Sequence, residues 1–139
     1  MHEALERSRL RATPLQISFE WFLRAVAVLS LILGLLYWVR LVGIYPGTDW
    51  RFDLMPIHWK VASVVLAVLF PFAASGLWML ASWGPVIWFI CAALEMTMHL
   101  WFPEHYGTRP QVVFAHLGIA LVYGAFRAAF LIQSRRVAD

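Results

Sequence analysis

The chain has 139 residues, 62% of them hydrophobic and 14% charged, with a formal net charge of +3. A soluble domain carries about 25% charged residues, so there is too little polar surface here to cover a globule in water, and the apolar excess must face lipid. The one cysteine, Cys91, excludes an internal disulfide and any Cys-x-x-Cys redox or zinc motif, and the arginines flank apolar runs instead of lining a groove, which argues against nucleic acid as a partner.

Residues 1–20 precede the first apolar run. Glu3 and Arg7 stand at i, i+4 spacing and Pro14 ends any helix begun there. A short interfacial helix is expected, offering Arg7, Arg9 and Arg11 to anionic lipid. The first span follows at about 21–44, uncharged between Arg24 and Arg40, which can snorkel from its two ends. It exceeds the roughly 20 residues needed to cross a bilayer. A cleaved signal peptide has a shorter core and a small-x-small site, and this run has neither.

No charged residue occurs from Val61 to Leu94, a stretch too long for one crossing. Ser82-Trp83-Gly84-Pro85 interrupts it, because Gly-Pro breaks a helix and Pro suits the first turn of the next. Spans are therefore expected at about 57–80 and 84–102, with a fourth at about 110–133 and a tail at 134–139. The fold class predicted is an all-α, four-helix transmembrane bundle.

With both termini inside, Arg7, Arg9, Arg11, Arg24, Arg127, Arg135 and Arg136 lie on the cytoplasmic side, against Arg40, Arg51, Lys60 and Arg109 outside. The positive-inside rule favours that orientation. Trp38, Trp50, Trp59 and Trp101 then mark the outer surface, and Trp21, Trp78 and Trp83 the inner one.

Helices in lipid approach closely where residues are small. Ala120, Gly124 and Ala128 form such a stripe on the fourth span, with Ser30 and Gly34 at the same spacing on the first. Pro71 removes the donor to the Ala67 carbonyl and bends the second span.

The chemistry-bearing residues gather toward one end. Glu95 and His99 stand one turn apart on the third span. At 1.5 Å per residue, His99 lies roughly 5 Å, Glu95 roughly 10 Å and His116 roughly 7 Å below the outer boundary. His58 opens the second span on the same side, beside the Glu104-His105-Tyr106 loop. Three chemistries suit such a set. Glu95, His99, His116 and His58 are suitable ligands for zinc or another divalent metal. His99 and His116 can ligate a haem iron. A carboxyl beside an imidazole can also relay protons or hold a quinone head. Interhelical hydrogen bonding near the interface accounts for the same residues without any ligand.

Met96 and Met98 flank Thr97 and suggest copper(I), but alternate helical residues diverge and lipid-facing packing explains them better. Cys91, one turn below Glu95, reads as a small buried hydrophobe. In the loop from Tyr45 to Ile57, Asp53 and Trp50 are either a docking surface or a solvated ion pair beside a membrane anchor.

Arg51-Phe52-Asp53-Leu54-Met55-Pro56-Ile57-His58-Trp59, and later Ser82-Trp83-Gly84-Pro85-Val86-Ile87-Trp88-Phe89, resemble a family of small bacterial four-helix inner-membrane proteins of unknown function. The resemblance implies that fold and an inner-membrane location, and it supplies no activity.

No nucleotide motif and no nucleophile with a base is present, so a non-enzymatic protein is expected. The leading expectation is an accessory or assembly subunit of a larger membrane complex, working with other membrane-protein subunits or as a homo-oligomer. A metal-, haem- or quinone-binding protein using the Glu/His cluster is the alternative. A small oligomeric transporter comes third.

Overall fold

The structure is a computed structural model, and it describes residues 1–4, 13–47 and 51–138. The expected interfacial helix with Arg7, Arg9 and Arg11 lies outside the described residues, as do Asp49 and Trp50.

The first long helix, α1, spans Pro14–Val42 and so begins well before the apolar run at Trp21. Its start is a capping box. Gln16 N–H donates to Thr13 Oγ1 at 3.2 Å, and Thr13 N–H donates back to Gln16 Oε1 at 3.1 Å. Pro14 sits in the first turn, where its missing N–H costs nothing. Gly43 ends the helix in the left-handed region at φ 75°, its N–H reaching Val39 O.

The other long helices are α2 (Ile57–Trp78), α3 (Trp83–Leu100) and α4 (Pro110–Ala138), with a single 3-10 turn at Phe52–Leu54 and a single helical turn at Pro103–Tyr106. All four long helices are apolar enough to cross a membrane, and among the described residues there is no strand.

Helices α1 and α2 form the tightest pair. The buried face of α1 runs Leu23, Val26, Ala27, Ser30, Gly34, Tyr37, Arg40, a helical repeat aimed at α2. At Gly34 the backbones come close enough that a Cβ would stand 2.7 Å from Pro71 Cδ. The carbonyl that Pro71 frees is satisfied from α1, because the Trp38 indole N–H donates to Ala67 O at 2.9 Å. Trp38 therefore has a hydrogen-bonding task inside the bundle in addition to its exposed ring.

Helices α2 and α3 join through a Schellman turn. Ala81 N–H reaches Gly76 O at 2.9 Å and Leu80 N–H reaches Leu77 O at 3.2 Å. Leu80 holds the left-handed position usually given to glycine, at φ 58°, and its side chain packs against the core. Beyond the turn Gly84 lies against Gly76, and a Cβ on Gly84 would stand 2.6 Å from the Gly76 carbonyl carbon.

Helix α4 is held differently. Near the chain ends, Phe19 meets Tyr123, Phe126 and Phe130 with ring centroids 5.3–5.9 Å apart, and Phe22 stacks on Phe126 at 5.4 Å. Elsewhere it is sparsely covered. Only 11% of its span is buried, against 33%, 44% and 39% for α1, α2 and α3.

Three sequence expectations change. Trp59 is buried, not spread at the lipid surface, and the Arg40 guanidinium lies over its ring at 4.6 Å. Arg40 is 4% exposed, so it is drawn inward by the Trp59 and Tyr37 ring faces instead of snorkelling outward. Met98 is a core residue and does not face lipid.

Candidate functional site

Bundle packing buries Glu95, His99 and His116, with Arg40 of α1, at the end of the molecule opposite the chain termini. Glu95 on α3 is 2% exposed, His99 one turn later 5%, and His116 on α4 3%. Glu95 Oε2 and His116 Nε2 are 3.4 Å apart, a long hydrogen bond across the α3–α4 interface. His116 is fixed by aromatic rings, stacking on Phe70 at 6.5 Å and meeting Trp88 edge-on at 5.7 Å. Tyr37 of α1 stacks on the same Phe70 at 6.1 Å, and its hydroxyl faces Glu95.

The four residues proposed from sequence as metal ligands do not meet as one set. His99 is turned toward the loop, its Nδ1–H donating to Gly107 O at 3.0 Å. His58 donates through Nε2–H to His105 O, also at 3.0 Å. Among the described residues no three His, Cys, Asp or Glu side chains converge on one point. What remains together is Glu95 and His116.

The displaced histidines build a clasp. His58 packs edge-on against His105 at 5.0 Å and Tyr106 at 5.1 Å, and the Tyr106 hydroxyl donates to His58 O at 3.0 Å. Burial pushes the Tyr106 phenol up from its ordinary pKa. His99 ties the other side of the same loop through Gly107. The α3–α4 connection is thereby pinned to the start of α2, which sets where α4 enters the bundle.

Each member of the pair has a buried atom without a hydrogen-bond partner within 3.5 Å, although the Tyr37 hydroxyl is aimed at the Glu95 carboxyl. Glu95 Oε1 and His116 Nδ1 are both buried and have no hydrogen-bond partner. Both residues line a crevice of about 210 Å³ between α1 and α4, walled by Leu29, Leu33, Val112 and Ala115 with Gln111 at its edge. Near the chain ends the aromatic contacts close α1 against α4, and toward Glu95 the two helices leave this gap.

A buried Glu/His pair carries no net charge in two proton arrangements, imidazolium with carboxylate or neutral imidazole with carboxylic acid. A net charge here would bear a large desolvation cost. In both arrangements Nδ1 carries a hydrogen and Oε1 accepts; the buried Arg40 guanidinium of the same region balances a third, carboxylate with neutral imidazole.

Two residues of this region went unsuspected as part of the cluster. Tyr37 and Arg40 are three apart on α1 and so share a face, with Arg40 lying 5.5 Å over the Tyr37 ring. That spacing was the available signal. The expected interface residues lie elsewhere. Asp53 is paired with Arg51 at 2.8 Å in the solvated loop, and a Cβ at Gly124 would meet nothing within 4 Å. Ala120 packs partly against the core, while Ala128 is exposed.

Fold and site together define an all-helical membrane protein with a buried interhelical carboxyl–imidazole pair beside an apolar crevice. The chain belongs to a family of unknown function (DUF6163), whose pattern it matches over residues 17–134. No curated protein and no solved structure matches it.

Proposed function

We propose that this chain is a non-enzymatic binding protein of the bacterial inner membrane, with its termini in the cytoplasm. It takes the hydroxyl-bearing head of an apolar, membrane-dissolved molecule onto Glu95 and His116. The observation that carries this reading is the crevice of about 210 Å³, apolar-walled, that Glu95 and His116 help to line, with their Oε1 and Nδ1 buried behind that wall and without partners. Sites for whole drug-sized ligands run from about 300 Å³, so the space suits a head group with its tail left in lipid. A hydroxyl or phenol donates once and accepts once, the complement of an Nδ1 hydrogen and an Oε1 acceptor. A quinol is one such head, one of the alternatives read from the sequence beside metal and haem.

Native mass spectrometry of protein extracted gently from its own membranes tests this. The expected result is a bound species of a few hundred daltons or more on the wild type, lost in His116→Leu and reduced in Glu95→Gln. Helical content should be unchanged in both. A wild-type protein that always emerges bare refutes the reading.

A second reading, the accessory subunit, is favoured by the sparse cover on α4, 11% buried where its neighbours are 33–44%. On this reading a neighbouring membrane protein lies along α4. The same mass spectra test it, because a retained protein subunit would be seen directly, and a chain that never retains one would argue against it.

A further inference from the structure

We infer that the groove between α1 and α2 at the Arg24 end of the bundle holds an anionic phospholipid, with its phosphate on Arg24 and one acyl chain along the groove. This site is separate from the Glu95–His116 pair and lies toward the other face of the membrane.

The groove comes from two matched stripes. On α1, Arg24, Ala27, Val28 and Leu31 stand at i, i+3, i+4 and i+7, one helical face. On α2, Pro71, Ala74, Ser75 and Trp78 repeat the same spacing. Small residues at the centre of each stripe leave a trough of about 330 Å³ where larger ones would close it. Seven residues of helix give it a length of roughly 10 Å. Ser75 turns its hydroxyl back to Phe72 O at 2.8 Å, so the trough stays apolar at its centre.

A cation stands beyond one end, outside the trough's own lining but against its Trp78 wall. The Arg24 guanidinium lies between Trp21, at 5.4 Å, and Trp78, at 5.5 Å, and Trp78 is itself a wall of the trough. Its Nε is buried and has no hydrogen-bond partner. Glu20 stands one turn closer to water but forms no ion pair with Arg24, the described ion pairs being Arg51–Asp53 and His116–Glu95. Trp rings are at home at the headgroup level, so Arg24 sits where a phosphate would lie.

Charge selects the occupant. A zwitterionic lipid brings its own ammonium beside the phosphate. An anionic phospholipid supplies both the chain for the trough and an uncompensated charge for Arg24. One arginine near the membrane surface is worth about fivefold in preference for anionic lipid.

The test uses the full chain in nanodiscs of equal phosphatidylglycerol and phosphatidylcholine, released in the mass spectrometer so that retained lipid is weighed. Wild type should retain phosphatidylglycerol about fivefold over phosphatidylcholine. Arg24→Gln should bring the ratio close to one, and Arg24→Lys should keep most of it. Val28→Trp, which fills the trough and leaves Arg24 in place, should release both lipids. Equal retention by wild type would overturn the inference. So would a preference surviving Arg24→Gln, which would assign it to other basic residues, or a retained second copy in place of lipid.

Discussion

Pro71 deprives the Ala67 carbonyl of its helical donor, and the Trp38 indole supplies a replacement from α1 at 2.9 Å. Trp38→Phe keeps a ring and removes the N–H, so it should cost about 1–2 kcal/mol in a denaturant titration in detergent. In a Pro71→Ala background the carbonyl regains a backbone donor, and the same substitution should cost clearly less. Equal costs in the two backgrounds would mean that the indole bond contributes nothing specific. The freed carbonyl was legible in the sequence. Its donor was not, because a Trp near the end of an apolar run reads as an interface anchor, and only the tertiary pairing of α1 with α2 gives it a second task. Arg40 teaches the same lesson. An arginine closing an apolar run reads as a snorkelling cation until Trp59, brought from the next helix, offers it a ring face at 4.6 Å.

At the scale of elements, glycines of similar appearance in sequence have opposite roles. Gly84 meets Gly76 backbone to backbone, and a Cβ there would lie 2.6 Å from a carbonyl carbon that cannot yield. Gly84→Ala should therefore cost about 2 kcal/mol or more by splaying α2 from α3, read from the same titration. Gly124 lies in open space on α4. Gly124→Ala should stabilise the isolated chain by roughly 0.5–1 kcal/mol, the ordinary helix gain. A loss of stability there would show that another chain packs against that face. The small-residue stripe on α4 was visible as a pattern, but spacing alone does not name what covers it. The helix count was legible because hydrocarbon thickness sets length, while the break falls at residues 79–82, just before Gly84-Pro85, which lies in the first turn of α3. The start of α1 at Pro14 was signalled by Thr13-Pro14-Leu15-Gln16, a capping box lying outside the apolar run.

For the whole molecule, the aromatic contacts near the chain ends and the histidine clasp at the other end fix α4 at two points. Between them α4 stands off from α1 and leaves the crevice. The pairing of Glu95 with His116 was within reach of the sequence, since depth along antiparallel neighbours brings them level. The diversion of His99 and His58 was not, because it depends on loop carbonyls at Gly107 and His105. Nor was the crevice, because lipid tails and leucine side chains are equally apolar and hydropathy does not separate a helix–helix contact from a gap. The most direct test is labelling by a membrane-soluble carbodiimide, with the modified acid located by peptide mass spectrometry. Glu95, buried behind the apolar wall of the crevice, should be the acid modified fastest, ahead of the exposed Asp53 and Glu104, and Ala115→Trp should protect it by filling the crevice. An unmodified Glu95, or one modified equally fast in Ala115→Trp, would contradict a membrane-side route to the carboxyl–imidazole pair.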